Sequence, residues 1–217
     1  KSFRCKARVT NALAAYNNII GNLDLYVQYS KELLLLYEAS PAFMAENLVT
    51  YLSILYNYGT GCISLKRYEE AIHSAERMRT FKPSQPDEER KIFISSTSLE
   101  LVANGVSGNH KGAVRVFNEN RLTLYRYFKE GFLQRYFILC SFAASSNAYL
   151  ENYKEALKII AHIFAHPEIK KTVWLETILS VLQILFLSEA GEEYQSFLKN
   201  LKRRLPESKG AETAEFI

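Results

Sequence analysis

His162 and His166 stand four residues apart, the spacing at which one helix face could offer two imidazoles to a metal ion. No HExxH pattern accompanies them, no third ligand is evident, and Pro167 puts His166 at a helix end. Glu70 and His73 form an ExxH spacing, which di-iron bundles use in duplicate together with further glutamates. A second ExxH is absent, so both residues are read as helix surface. GxSxG, a phosphate-binding glycine loop and a dinucleotide fingerprint are also missing. With Asp24 and Asp87 the only aspartates, carboxylate chemistry would depend on glutamates that fit helix surfaces. The expectation is a non-enzyme with no catalytic residue, no metal and no cofactor.

Cys5, Cys62 and Cys140 are odd in number and far apart, unlike a zinc set or a thiol redox pair. They read as small buried apolar residues in a reducing compartment, and a cytoplasmic location is expected. Lysine and arginine number 27 against 23 acids, a formal charge of +4 that is too small and scattered to mark a nucleic-acid binder. Arg77, Arg79 and Lys82 are the residues such a binder would use. The run Lys199, Lys202, Arg203 and Arg204 reads as favourable charge on the last turn of a helix. No uninterrupted apolar stretch reaches about 18 residues, so no membrane span is expected. The chain starts at Lys1 with neither methionine nor an apolar leader, as expected of a piece cut from a longer protein.

The elements that would position these residues are helices. Leu48, Tyr51, Leu52, Leu55 and Tyr58 recur as on one helix face, and so do Val173, Trp174, Ile178, Val181, Leu182, Leu185 and Phe186. Ser40-Pro41 and His166-Pro167 read as helix starts, and Ser84 with Asp87 as a capping box. Gly108-Asn109 and Glu151-Asn152 read as short turns, and Gly191 as a break in the last long apolar run. The pattern predicts about ten helices, near 5–20, 23–38, 42–65, 68–80, 86–106, 110–127, 130–150, 152–165, 168–189 and 191–204. Residues 206–217 are polar and read as a tail or linker after a single domain over 1–205.

The segment from Asn57 to Pro83 resembles a tetratricopeptide repeat. Leu55, Tyr58 and Gly59 fall at the large, large and small positions of the first helix, and Cys62 at the next, usually aromatic one. Tyr68 begins the second helix, Ala71 takes its small packing position, Ala75 and Met78 follow, and Pro83 closes the unit. Lys66 stands where the turn glycine is frequent. A small residue at Gly59 is expected to let the first helix approach Ala71 on the second. A second copy has Ala143, Ala144, Tyr153, Ala156, Ile160 and Ile163, and a weaker one Leu101, Gly108, Ala113 and Phe117. With degenerate copies centred near Tyr26 and Ser196, the spacings are about 45, 42, 43 and 40 residues. These units are longer than the usual ~34 and resemble the extended repeats of bacterial peptide-sensing regulators.

The resemblance implies an all-α fold, a right-handed α-α superhelix of about five hairpins whose first helices line a concave groove. It implies a groove formed by Ser53, Tyr56, Thr60 and Ser64, by Ser141, Ser145 and Tyr149, by Ser98 from the weaker copy, and by Asn11 and Asn18 from the first pair. Small hydroxyls and a few tyrosines suit hydrogen bonding to a peptide backbone. The paired Lys, Arg and Asn of a terminal-carboxylate clamp are absent from the better copies. The expected function is a protein- or peptide-binding scaffold, and the alternative is the peptide- or ligand-sensing segment of a larger bacterial regulator.

Overall fold

The computed structural model of the chain describes residues 2–129 and 133–204, and the tail read over 206–217 lies outside them. Among the described residues every regular element is helical: α1 (Phe3–Ile19), α2 (Leu23–Glu38), α3 (Pro41–Glu46), α4 (Leu48–Ser64), α5 (Tyr68–Arg79), α6 (Pro86–Val106), α7 (His110–Phe128), α8 (Leu133–Tyr149), α9 (Tyr153–Phe164), α10 (Val173–Glu189) and α11 (Gln195–Arg204). A short 3-10 helix, Pro167–Lys171, precedes α10.

Three expected helices start or break differently. The helix read over 42–65 is two, because Asn47 leaves the helical region at φ −124° and its side chain donates to the Phe43 carbonyl at 2.9 Å. Phe43 instead packs against the rings of Phe3 and Tyr37. The helix read over 168–189 is broken at buried Thr172, whose hydroxyl oxygen accepts from Gln134 Nε2 at 2.7 Å. The last helix begins at Gln195 rather than 191. The capping box is also displaced by one residue. Glu88, not Asp87, reaches back, and its Oε2 accepts from the backbone N–H of Ser84 and Gln85 and from the Ser84 hydroxyl.

The hairpin turns repeat with a fixed geometry. Gly21, Lys66, Gly108, Glu151 and Gly191 alone have positive φ among the described residues, and they lie 45, 42, 43 and 40 residues apart. Each follows the first helix of a pair as the left-handed residue that ends a helix by folding the chain back onto its last carbonyls. Four of the five turns close with the same backbone bond: Asn22 to Asn17, Arg67 to Cys62, Asn152 to Asn147 and Glu192 to Leu187, at 2.8–2.9 Å. Side chains repeat too. Asn104 donates to the Glu100 carbonyl and accepts from Asn109, and 43 residues later Asn147 does the same with Ala143 and Asn152.

These turns make five helix pairs, α1/α2, α4/α5, α6/α7, α8/α9 and α10/α11, each packed against its sequence neighbours. Two glycines on nearly opposite flanks of α4 set the close approaches. A Cβ at Gly61 would lie 2.6 Å from Val27 Cγ2 of α2. A Cβ at Gly59 would lie 2.7 Å from Leu99 Cδ1 of α6 and 3.4 Å from Ser74 Cβ of α5. Gly59 therefore makes room mainly for the following pair rather than for Ala71, which is itself fully buried. The buried apolar residues form two clusters that meet on α6, one running from Ala7 to Ala103 and the other from Leu101 to Phe186.

Ion pairs tie the pairs together on another side. Glu38 of α2 accepts from Tyr51 and pairs with Arg77 of α5 at 2.8 Å, while Glu100 of α6 faces Arg79 and Arg115. Cys62 and Cys140 are buried as expected, but Cys5 is exposed, because α1 is covered on one face only. No helix of the described residues is long and apolar enough to cross a membrane.

Candidate functional site

Ser53, Tyr56, Thr60 and Ser64 form one stripe along α4, the first three half-buried and Ser64 exposed. The hydroxyls of this stripe bond to their own helix: Ser53 to the Val49 carbonyl at 2.9 Å, Thr60 to Asn57 at 2.8 Å and Ser64 to Thr60 at 3.2 Å. On α8, half-buried Ser141 likewise donates to Ile138 at 2.7 Å. With their protons engaged, these oxygens can serve a ligand only as acceptors, which suits the N–H groups of an extended backbone.

The other residues expected in a groove are placed differently from one another. Ser98 is 6% exposed, because α6 is packed on several sides by α4, α5, α7 and α8. Asn11 and Asn18 are exposed on α1, which packs along α2 and reaches α3 through Phe3, so they do not come beside α4, α6 and α8. Ser145 and Tyr149 of α8 line an open cleft of about 560 Å³ between the C-terminal ends of α6 and α8.

Two further cleft residues, His110 and Phe142, were not singled out from sequence. Asn109 caps α7, its Oδ1 accepting from the Gly112 N–H at 3.2 Å, and so fixes His110 as the first helical residue. The His110 ring lies flat on Tyr149, with centroids 4.4 Å apart and planes 2° from parallel. Its Nδ1 is buried without a hydrogen-bond partner. Tyr149 remains 75% exposed and Val106 beside it 42%, so the cleft offers an aromatic face, an apolar wall and the Ser145 hydroxyl together. The turn at Gly108-Asn109 was the available signal for His110; its stacking partner lies 39 residues away in sequence.

Nearer the start of α6, the Lys91 ammonium stands 5.9 Å over the Tyr56 ring. Burial, and secondarily Arg135 of α8, hold the Lys91 pKa below its ordinary value. Burial raises Tyr56, and Arg135 partly opposes that rise. The first-helix surfaces of two successive pairs thus meet here.

The spacings that suggested metal chemistry have structural partners. Glu70 is bound by the Arg67 guanidinium at 2.5 and 2.6 Å and by the Tyr58 hydroxyl at 2.7 Å. Arg67 first and Tyr58 second hold its carboxyl down to about 2, and the link ties the first turn of α5 to the middle of α4. His73 points away to Glu76 at 3.7 Å. His166 caps the 3-10 helix, its Nδ1 accepting from the Glu168 N–H at 3.3 Å, while His162 lies against the edges of Tyr125 and Tyr136. Comparison with protein-family models finds no match, and no curated protein matches the chain.

Proposed function

We propose that the chain is a protein- or peptide-binding scaffold of the tetratricopeptide type. In this reading its five helix pairs wind into a right-handed superhelix, with α4, α6 and α8 along the concave side. The observation that carries the reading is the cleft at Tyr149, an open recess of mixed apolar and polar lining within the ~300–1,000 Å³ range in which proteins take up ligand groups. An extended partner segment would cross α8 and α4, its backbone N–H groups donating to Ser141, Ser53, Thr60 and Ser64, while one apolar side chain enters the cleft against Phe142 and Tyr149. The flat stack on His110 holds the Tyr149 ring in place before binding, which reduces the ordering cost on association.

Selection from a displayed peptide library against the purified chain tests this. Recovered peptides should bind in fluorescence anisotropy, and Tyr149→Ala should weaken them about tenfold, equivalent to ~1.4 kcal/mol. Peptides that bind Tyr149→Ala and Tyr56→Ala as tightly as the parent protein would remove this surface from the function.

A further inference from the structure

We propose that an exposed apolar row on α10 pairs two copies of this chain, antiparallel, about a two-fold axis between Ile178 and Val181. The contact is independent of what the cleft at Tyr149 binds. Leu175, Leu179 and Phe186 of α10 are buried in the second core cluster. Ser180, Gln183 and Ile184 lie on the side of α11, where they line a cleft with Phe197 and Leu201. Trp174, Ile178, Val181 and Leu185 belong to neither side and keep 43–54% of their surface in solvent. Counted from the turns at Glu151 and Gly191, 40 residues apart, these four take the places of Gln134, Ile138, Ser141 and Ser145 on α8. A row that is mainly polar in one pair is wholly apolar in the next.

The steps along the row are four, three and four, the alternation by which a straight seam on one helix fits the seam of another. The row is also self-complementary. An axis at its centre sets Ile178 against Val181 of the second copy and Trp174 against its Leu185, a larger side chain facing a smaller one each time. The charges at its ends select the antiparallel direction. Lys170, in the 3-10 turn, stands four residues before Trp174, and Glu189 stands four residues after Leu185. Both are exposed and have no ion pair among the described residues. Each sits at the end of its own helix that its charge disfavours, a cation at the start and an anion in the last turn. The same axis brings Lys170 to Glu189 of the second copy and to the carbonyl end of that helix, so both charges gain a suitable neighbour.

A seam on one helix about 25 Å long is smaller than a standard interface, so Kd should be on the order of 10–100 µM. Sedimentation equilibrium of the purified chain over about 5–300 µM should show monomer passing to dimer and nothing larger. Ile178→Glu should abolish the dimer, and because the side chain is exposed the far-ultraviolet circular dichroism should not change. Lys170→Glu and Glu189→Lys should each weaken the dimer about threefold or more at about 50 mM salt, and the double exchange should restore it. A monomer at every concentration would mean that something other than a second copy covers the row, and would overturn the pairing. A dimer that survives Ile178→Glu, or single charge exchanges that the double exchange does not repair, would also overturn it. So would growth beyond the dimer that Leu13→Glu stops, which would place α1 of one copy on α10 of the next.

Discussion

Lys66 and Glu151 hold φ of 59° and 60° at the turn positions where Gly21, Gly108 and Gly191 sit in the other three pairs. A side chain in this conformation crowds its own backbone, a cost that glycine avoids. Lys66→Gly and Glu151→Gly should therefore each stabilise the protein by about 0.5–1 kcal/mol, raising Tm by roughly 2 °C in a chain of this size. A lowered Tm in both would mean that these side chains make contacts worth more than the relief of strain. At this scale the sequence was informative about position and less so about role. Lys66 was recognisable as standing in for a turn glycine, whereas Glu70 was read as helix surface. The Arg67 and Tyr58 bonds to Glu70 depend on how α4 and α5 face each other, which residue spacing along one helix does not encode.

Between elements, the close approaches are set by α4. Gly61→Ala would drive a methyl group into Val27 Cγ2 and the Tyr26 ring, a β-branched side chain and an aromatic with little room to turn. We expect a loss of about 1–3 kcal/mol in urea unfolding, although the same change on an exposed helix face would be favourable by about 1 kcal/mol. Gly59→Ala meets the flexible end of Leu99 and should cost less. A stabilised Gly61→Ala would contradict the packing of α2 on α4. The helices over 23–38 and 86–106 were legible to the residue because their caps and first-turn acids are local signals. The break at Asn47 was not, since Phe43 leaves the helical line to join Phe3 and Tyr37, residues that only the folded chain brings near. The break at Thr172 depends in the same way on Gln134.

Among the described residues, the packing contacts between helices run within each helix pair and from each pair to the next in sequence. Stability in such an array is close to a sum of local terms, so different pairs can open separately. The end pairs also leave apolar side chains in solvent, Val9, Leu13, Tyr16 and Ile19 on α1 and Trp174, Ile178, Val181 and Leu185 on α10, while the middle pairs cover most of theirs. Amide hydrogen exchange should therefore show graded protection, slowest in α4, α6 and α8 and faster in α1, α10 and α11. Uniform exchange in all helices, with a single opening free energy, would show one cooperative unit instead.

The sequence by itself determined the helical class, the period of about 43 residues and where the turns fall. Apolar spacing, cap residues and left-handed turn positions all act within a few residues of chain. Tertiary structure decided which side chains share a surface. It laid His110 on Tyr149, brought Lys91 over Tyr56 and enclosed Ser98, across separations that local rules do not reach. The physical reason lies in how the helices pack. Clearance at Gly61 and Gly59 sets how closely α2 and α6 approach α4, and packing around α6 determines which hydroxyls and rings stay exposed.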